Sequence, residues 1–420
     1  MQSFLIYFER MSLFSHAEPS IRFGAVIEIG SGSVLASIVK SDRSKTTPDI
    51  VWSKREYATK RAESDTGVNA KAVITALMNA ILLLENDGTK LMRVAHPHSK
   101  ITHVQVSMTA PWSYTITKVI GYTKETPFEI TEALLTSLVE AAQKKIAEEL
   151  KENEIATDLG LAIMTRATTD IQANDYKIED PKGKQASSLT LTQVSAVAQT
   201  YLTDAVGDIK NKIFKHALLE QFSFMLMFHC IVREFNNQLS EYCLVDVTYE
   251  ATEIGVVRGS ILRYCTHTPI GISTIARTIA TVLNIPLAEA YAFLKEPYFS
   301  HAMESLSPEK KAAVEVVFDE YQNNLATLFK ETGDTLSIPK ILFMHGDNQS
   351  ENFFSVQLTA AAKKATGSVH TVHKVSSELL TKNYNAQEKK ALLTITDDTA
   401  MLVAAQFFHK QHHCNDFIQL

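Results

Sequence analysis

Ala25-Val26-Ile27-Glu28-Ile29-Gly30-Ser31-Gly32-Ser33-Val34-Leu35-Ala36-Ser37-Ile38-Val39 reads as an apolar strand, a tight Gly/Ser turn and a returning apolar strand. Half a chain later the design recurs in Leu244-Val245-Asp246-Val247-Thr248-Tyr249-Glu250-Ala251-Thr252-Glu253-Ile254-Gly255-Val256-Val257. Each first strand ends at an acidic residue, Glu28 or Asp246, before the chain turns. Two such hairpins predict two related lobes facing each other over a cleft, each turn offering backbone N–H groups to an anion between them. The first turn carries Gly30 and Gly32, whereas the second, Thr248 to Ala251, carries no glycine.

Size and composition bound the reading. A chain of 420 residues exceeds one ordinary domain. With 45% hydrophobic and 21% charged residues it reads as a soluble globular protein. A net charge of −6, without a basic stripe interleaved with aromatics, argues against a nucleic-acid partner. Cys230, Cys243, Cys265 and Cys414 are scattered without a C-x-x-C pair, as expected of reduced thiols. Cys230 falls in an apolar helix and reads as core. No run reaches the roughly 18 apolar residues of a membrane span. Residues 1–22 read as an N-terminal extension without a signal peptide's basic start or cleavage site. Its reading stays open between a start at Met11, a disordered tail and a membrane-surface helix built on Phe4-Leu5-Ile6-Tyr7-Phe8.

Periodicity places the remaining elements. Ile50–Arg55 continues the first sheet, and Asn69–Asn86 has apolar residues at helical spacing. Ile101–Ala110 alternates as a strand, with Trp112–Tyr122 expected as its hairpin partner. Thr131 is placed to cap a helix over Glu132–Leu150. Leu159–Thr165 and Leu189–Ala196 read as strands, with a polar hairpin over Asp170–Gly183. Thr203–Lys215 and Leu218–Arg233 read as helices before the second hairpin. After it come a strand over Ser260–His267, a helix over Thr274–Leu283 capped by Ser273, and helices over Leu287–Lys295 and Pro308–Phe329. Ile341–Asp347 reads as a buried strand and Asp397–His409 as the last helix. His409, His412, His413 and Cys414 read as a solvated tail rather than a metal site. There is no Ser/His/Asp set, H-E-x-x-H or Walker A pattern.

These segments, in this order over about residues 24–408, resemble the actin-like ATPase superfamily, and within it the branch of FtsA and PilM. Glu28-Ile29-Gly30-Ser31-Gly32-Ser33 resembles the family's first phosphate loop, and Asp246–Val257 with Gly259 its second. Val106-Ser107-Met108-Thr109-Ala110, then Ile130-Thr131 and its helix, together with the Pro-x-Gly ending of Asp175–Gly183, look like the insertion peculiar to this branch. Thr268-Pro269-Ile270-Gly271 and Leu283-Asn284-Ile285-Pro286, leading into a helix that ends at Lys295, resemble later family segments. Met344-His345-Gly346-Asp347 resembles the adenosine loop. The implied fold is α/β: a two-lobed actin-like fold with duplicated mixed sheets, helices and an inserted small α+β (SHS2-like) subdomain. The implied organisation is 23–99 with 185–242 as the first lobe, 100–184 as the insert and 243–275 with 339–409 as the second lobe. A small subdomain, 276–338, belongs to that second lobe, and 410–420 is a tail.

The resemblance implies a nucleotide site in which the backbone at Gly30, Ser31, Gly32 and Ser33 holds phosphate and Asp246 orients Mg²⁺ through water. Thr252, Gly271, Lys295 and Gly346 complete the implied set. The residues present depart from the family pattern. A Gly-rich run is replaced by Thr248-Tyr249-Glu250-Ala251-Thr252-Glu253, where phosphate needs close backbone approach. Glu250, turned inward, would repel a γ-phosphate. Glu28 stands for the usual Asp, Ser33 for a frequent Lys, Ile272 for a second Gly and His345 for a first Gly of the adenosine loop. The ribose-contacting Glu falls on Ala292. The expectation is ATP/Mg binding weakened or lost, without catalytic residues.

Function follows as an expectation from the resemblance. The first reading is a cytoplasmic scaffold of the FtsA type, taking a peptide of a tubulin-like division protein on the small subdomain. It would form a homo-oligomer or filament through the insert. The second is a PilM-like component of type IV pilus or secretion assembly, binding a partner peptide. The chain stops soon after its last helix, without the family's amphipathic anchor, so a partner would hold it at the inner face of the membrane. The third is an active actin-like ATPase, against which the missing glycines argue.

Overall fold

The computed structural model describes residues 19–58, 66–152, 160–178, 180–296, 299–347 and 350–413. The expected membrane-surface segment and Cys414 lie outside the described residues. The first hairpin is β1 (Ile21–Ile29) against β2 (Ser33–Asp42), extended by β3 (Asp49–Tyr57). The helix α1 (Thr66–Leu83) continues through a π-helical turn, Leu84–Gly88, into α2 (Thr89–Ala95). Next come β4 (Ile101–Met108) and β5 (Ser113–Glu129), then α3 (Glu132–Glu152), whose Leu134 N–H donates to Thr131 Oγ1 as the sequence predicts. β6 (Leu161–Ala173), β7 (Tyr176–Lys177) and β8 (Gln185–Gln199) lead to α4 (Thr200–Ile213), β9 (Leu218–Ser223) and α5 (Phe224–Phe235).

The second hairpin is β10 (Tyr242–Val247) against β11 (Thr252–Arg258), followed by β12 (Ile261–Thr268). Four helices follow: α6 (Ile272–Leu283), α7 (Leu287–Lys295), α8 (Phe299–Glu304) and α9 (Pro308–Lys330). The chain ends through β13 (Ile341–Gly346), α10 (Glu351–Thr366), β14 (Thr371–Lys374), α11 (Ser377–Leu380), α12 (Ala386–Ile395) and α13 (Thr399–His413).

Two five-stranded sheets repeat one topology, β3-β2-β1-β4-β9 and β12-β11-β10-β13-β14. In each, three strands run antiparallel and two further strands add parallel to the first hairpin strand. The duplicated hairpins are therefore the centres of two equivalent sheets. β1 and β10 are buried along nearly their whole length, as continuous apolar runs require when both sheet faces are covered. α5 and α13 form the shared core between the sheets, joining Val26 and Leu35 of one to Leu244 and Phe343 of the other. α5 is apolar all round, with Phe224 through Val232 buried, which fixes it as an interior helix. The outer faces carry α1 with α4 on the first sheet and α6, α9 and α10 on the second.

Several expectations are corrected. Trp112–Tyr122 does not pair with Ile101–Ala110. β4 joins the first sheet parallel to β1, while β5 pairs with β8 in a third, four-stranded sheet, β5-β8-β6-β7, packed on α3. The alternation of β4 explains its place: Val104, Val106 and Met108 enter the outer core, while Gln105 donates to Ala404 O of α13. By sheet membership the inserted unit runs from Ser113 to Gln199, so Leu189–Ala196 belongs to it and not to the first lobe. Leu218–Ser223 is a strand beside β4, not the start of a helix. The last helix runs to His413 and packs on β1 and β2 of the first lobe, where Phe408 covers Gly24. His409 and His412 are not solvated: both are buried, with Nδ1 atoms 2.8 and 2.9 Å from Ser41 Oγ. α6 starts after Gly271, and Ser273 instead accepts from the Tyr291 hydroxyl at 2.7 Å.

Candidate functional site

The two hairpin turns meet between the lobes, and they meet in contact. Ser31 Oγ donates to Thr248 Oγ1 at 3.1 Å and accepts from the Glu250 N–H at 3.0 Å. Thr248 Oγ1 in turn reaches Ala110 O at 2.9 Å. The Tyr249 ring lies on Gly32, so close that a Cβ at that glycine would stand 2.5 Å from Tyr249 Cγ. Gly271 closes the same seam from behind: a Cβ there would stand 2.5 Å from both Ala251 N and Thr248 O. Its role is close backbone approach, not an unusual φ. The Gly30 N–H is already given to Ser33 O within the first turn. The lobes are thus joined at the point where the resemblance placed phosphate.

Asp246 ends β10 beside His345 on β13, in parallel register, with His345 Nδ1 2.8 Å from Asp246 Oδ1. They are 0% and 3% exposed. Burial works against a charged imidazole, yet the bond to Asp246 and the surrounding carboxylates raise His345 to about 9. At neutral pH it is an imidazolium neutralising Asp246. Opposite Asp246 on β11 is Glu253, buried and accepting from Thr115 N–H at 3.1 Å. Burial, reinforced by the charge of Asp246, pushes Glu253 up to about 8. Glu250 points away from the turn and pairs in two-pronged fashion with Arg277 of α6, at 3.1 and 2.8 Å. It does not take the inward position in which it would repel a phosphate.

Beside the seam a cleft of about 360 Å³ remains. Arg55 of β3 stands in its wall, bonded through Nε (2.9 Å) and Nη2 (2.7 Å) to Asp398 at the head of α13. Arg55 also donates to Ser33 Oγ and stands 3.3 Å from Glu28 Oε2 without hydrogen-bond geometry. Burial pushes Glu28 up to about 8 against the pull of Arg55. Asp347 at the floor is raised to about 6 by burial, less the attraction of Arg55 and His345. Tyr57, Tyr249, Glu351, Asp397 and Lys295 stand in the cleft's other walls.

Of the residues implied by the resemblance, Gly30, Ser31, Gly32, Asp246, Thr252 and Gly271 are gathered at the seam, but each is engaged internally. Thr252, for example, donates to Ile270 O at 2.8 Å and lies 3.0 Å from the Tyr321 hydroxyl. Ser33 is taken by Arg55, and only Lys295 and Gly346 line open space. Arg55 and Asp398 carry no recognisable motif, whereas Asp347 ends the stretch that resembles the adenosine loop. Asp398 stands at the head of the last helix, where its Oδ1 accepts from Met401 N–H as a capping group. A triphosphate with Mg²⁺ does not fit these residues. The carboxylate to which the resemblance assigns the metal faces His345, and Tyr249 stands in the implied phosphate space.

No protein-family model matches this chain, and no curated protein matches it by sequence. Among solved structures it is similar to a PilM–PilN type IV pilus biogenesis complex, at 13% identity over 94% of this chain and 98% of that one, with a TM-score of 0.54. It is also matched by the ethanolamine utilization protein EutJ from Carboxydothermus hydrogenoformans, at 12% identity over 93% and 90%, with a TM-score of 0.40. The fold is the two-lobed actin-like ATPase fold. No helix among the described residues is long and apolar enough to cross a membrane.

Proposed function

We propose that this chain is an adaptor on the actin-like framework that neither turns over nor depends on ATP, and that it works by taking a short peptide of an assembly partner. The observation that carries this reading is the closed seam, in which Tyr249 fills the space over Gly32 and Ser31 bonds directly to Thr248. Hydrolysis needs phosphate held by backbone donors and a metal at the developing charge. Here the loop donors are turned on each other and Asp246 is paired with His345.

Between the two scaffold readings we favour the pilus or secretion type, with a PilN-like membrane component as the partner and the chain peripheral to the inner face of the membrane. The support is an analogy of fold: the likeness to PilM in complex with PilN covers 98% of that chain. The division-scaffold reading shares the framework and differs in the partner. The test has two arms. Calorimetric titration of Mg-ATP into the full chain is expected to give no saturable heat, and phosphate release to stay at background; micromolar binding with steady turnover defeats the reading. Affinity capture from native cells is expected to bring down pilus-assembly proteins, and recovery of a tubulin-like protein instead would favour the division scaffold.

A further inference from the structure

The cleft left beside the closed seam has an unbalanced lining. Arg55 is neutralised by Asp398, and His345 by Asp246. That leaves Asp347, Glu351 and Asp397 as lining carboxylates with no ion pair among the described residues, against Lys295 as the lining cation in the same state. Asp347 is only 8% exposed, and its Oδ2 has no hydrogen-bond partner. A buried, unpartnered carboxylate costs stability unless a cation or donor completes it. Burial pushes Asp347 up to about 6 against the pull of Arg55 and His345. The three carboxylates are not gathered tightly enough to hold one metal ion, yet they share a single cavity from floor (Asp347) to rim (Asp397). Tyr57 and Tyr249 also line the cleft, and aromatic side chains beside carboxylates suit ammonium and guanidinium groups better than small hydrated ions.

We propose that this cleft binds an extended organic cation, an ammonium or guanidinium on a flexible stem, with Asp347 receiving its charged end at the floor and Glu351 and Asp397 its remaining charge. The same chemistry belongs to a free polyamine and to a basic side chain. The inference rests on the reading that the cleft does not serve ATP.

The probes are spermidine and agmatine, titrated separately into the full chain at low salt. One saturable site is expected for at least one of them. Asp347→Asn is expected to weaken it about tenfold or more, a loss of roughly 1.4 kcal/mol. Glu351→Gln, a half-buried position less burdened by folding effects, is expected to weaken it severalfold. Lys295→Gln is expected to tighten it, and Glu148→Gln, on exposed α3, to leave it unchanged. Tighter agmatine binding assigns a guanidinium side chain, and tighter spermidine binding a polyamine. Absence of saturable heat with both probes overturns the proposal, as does equal affinity in wild type, Asp347→Asn and Glu351→Gln. Equal weakening by Glu148→Gln also overturns it, because it would mean diffuse attraction to an acidic protein. Mg-ATP turnover would instead strike the proposed function, so the two failures are separable.

Discussion

Asp246 and His345 face each other across adjacent parallel strands, 2.8 Å apart and sealed from solvent. The Asp246 carboxylate is paired through Oδ1, while its Oδ2 has no hydrogen-bond partner, and removal of the pair by halves should be costly.

His345→Ala leaves Asp246 buried without its cation. Losing one partner of a buried pair costs about 3–5 kcal/mol. A marked fall in the thermal midpoint is expected. The double change Asp246→Asn with His345→Gln is expected to recover most of it, since no uncompensated charge then remains. Scanning calorimetry of the two variants checks both halves.

Gly32→Ala puts a Cβ into the Tyr249 ring. Overpacking of this kind costs about 1–3 kcal/mol. Adding Tyr249→Ala removes the obstacle, so the double variant should be less destabilised than the sum of the singles. Denaturant melts of the four proteins close the cycle.

Glu253 holds its proton up to about pH 8 when folded, against an ordinary value of 4.5. The folded state therefore carries the extra proton between those values, and its stability falls as pH rises through that window. Glu253→Gln should flatten this alkaline decline and gain on the order of 2–4 kcal/mol at pH 8. Stability curves measured from pH 5 to 9 would show a parallel shift, or none, were the side chain not the cause.

Burial holds His409 down near 3 and His103 near 4, from an ordinary 6.5. Unfolded chains take up these protons first, so stability drops as pH falls below about 6.5. His103 and His409 lie along the seat of α13, where Ser41 meets His409 and His412 and the His103 ring packs edge-on to Phe408. Amide exchange at pH 5 should rise first in residues 399–413, and uniform protection along the chain would contradict this.

Arg263 of β12 binds the inserted sheet through Thr192 Oγ1 at 3.0 Å and Asp170 at 3.6 Å. Arg263→Ala leaves the buried Asp170 with Gln172 but no cation, at a cost of roughly 1–3 kcal/mol. Faster proteolysis within the insert is the expected readout, with Arg263→Lys intermediate.

The hairpins were legible because both faces of β1 and β10 are covered, so each reads as an unbroken apolar run ending at an acid. The missing glycines of the second turn were legible too, and Tyr249 stands against Gly32 at that seam. How the seam closes was not legible. Glu250 turned out to serve Arg277, and the space is held by Tyr249 and the Ser31–Thr248 bond. Arg55, Asp347 and Asp398 come from three separate segments and show no spacing that links them.

By itself, the sequence determined the repeated hairpin, the strand and helix periods and the replacement of loop glycines, all of which depend on neighbours a few residues apart. Tertiary structure alone decided that β4 stands beside β1, that β8 belongs to the insert, and that α13 returns to the first lobe to bring Asp398 onto Arg55. Alternation tells which face of a strand is apolar, but not which distant strand will pair with it. That choice is made by closure of the whole chain around α5 and α13.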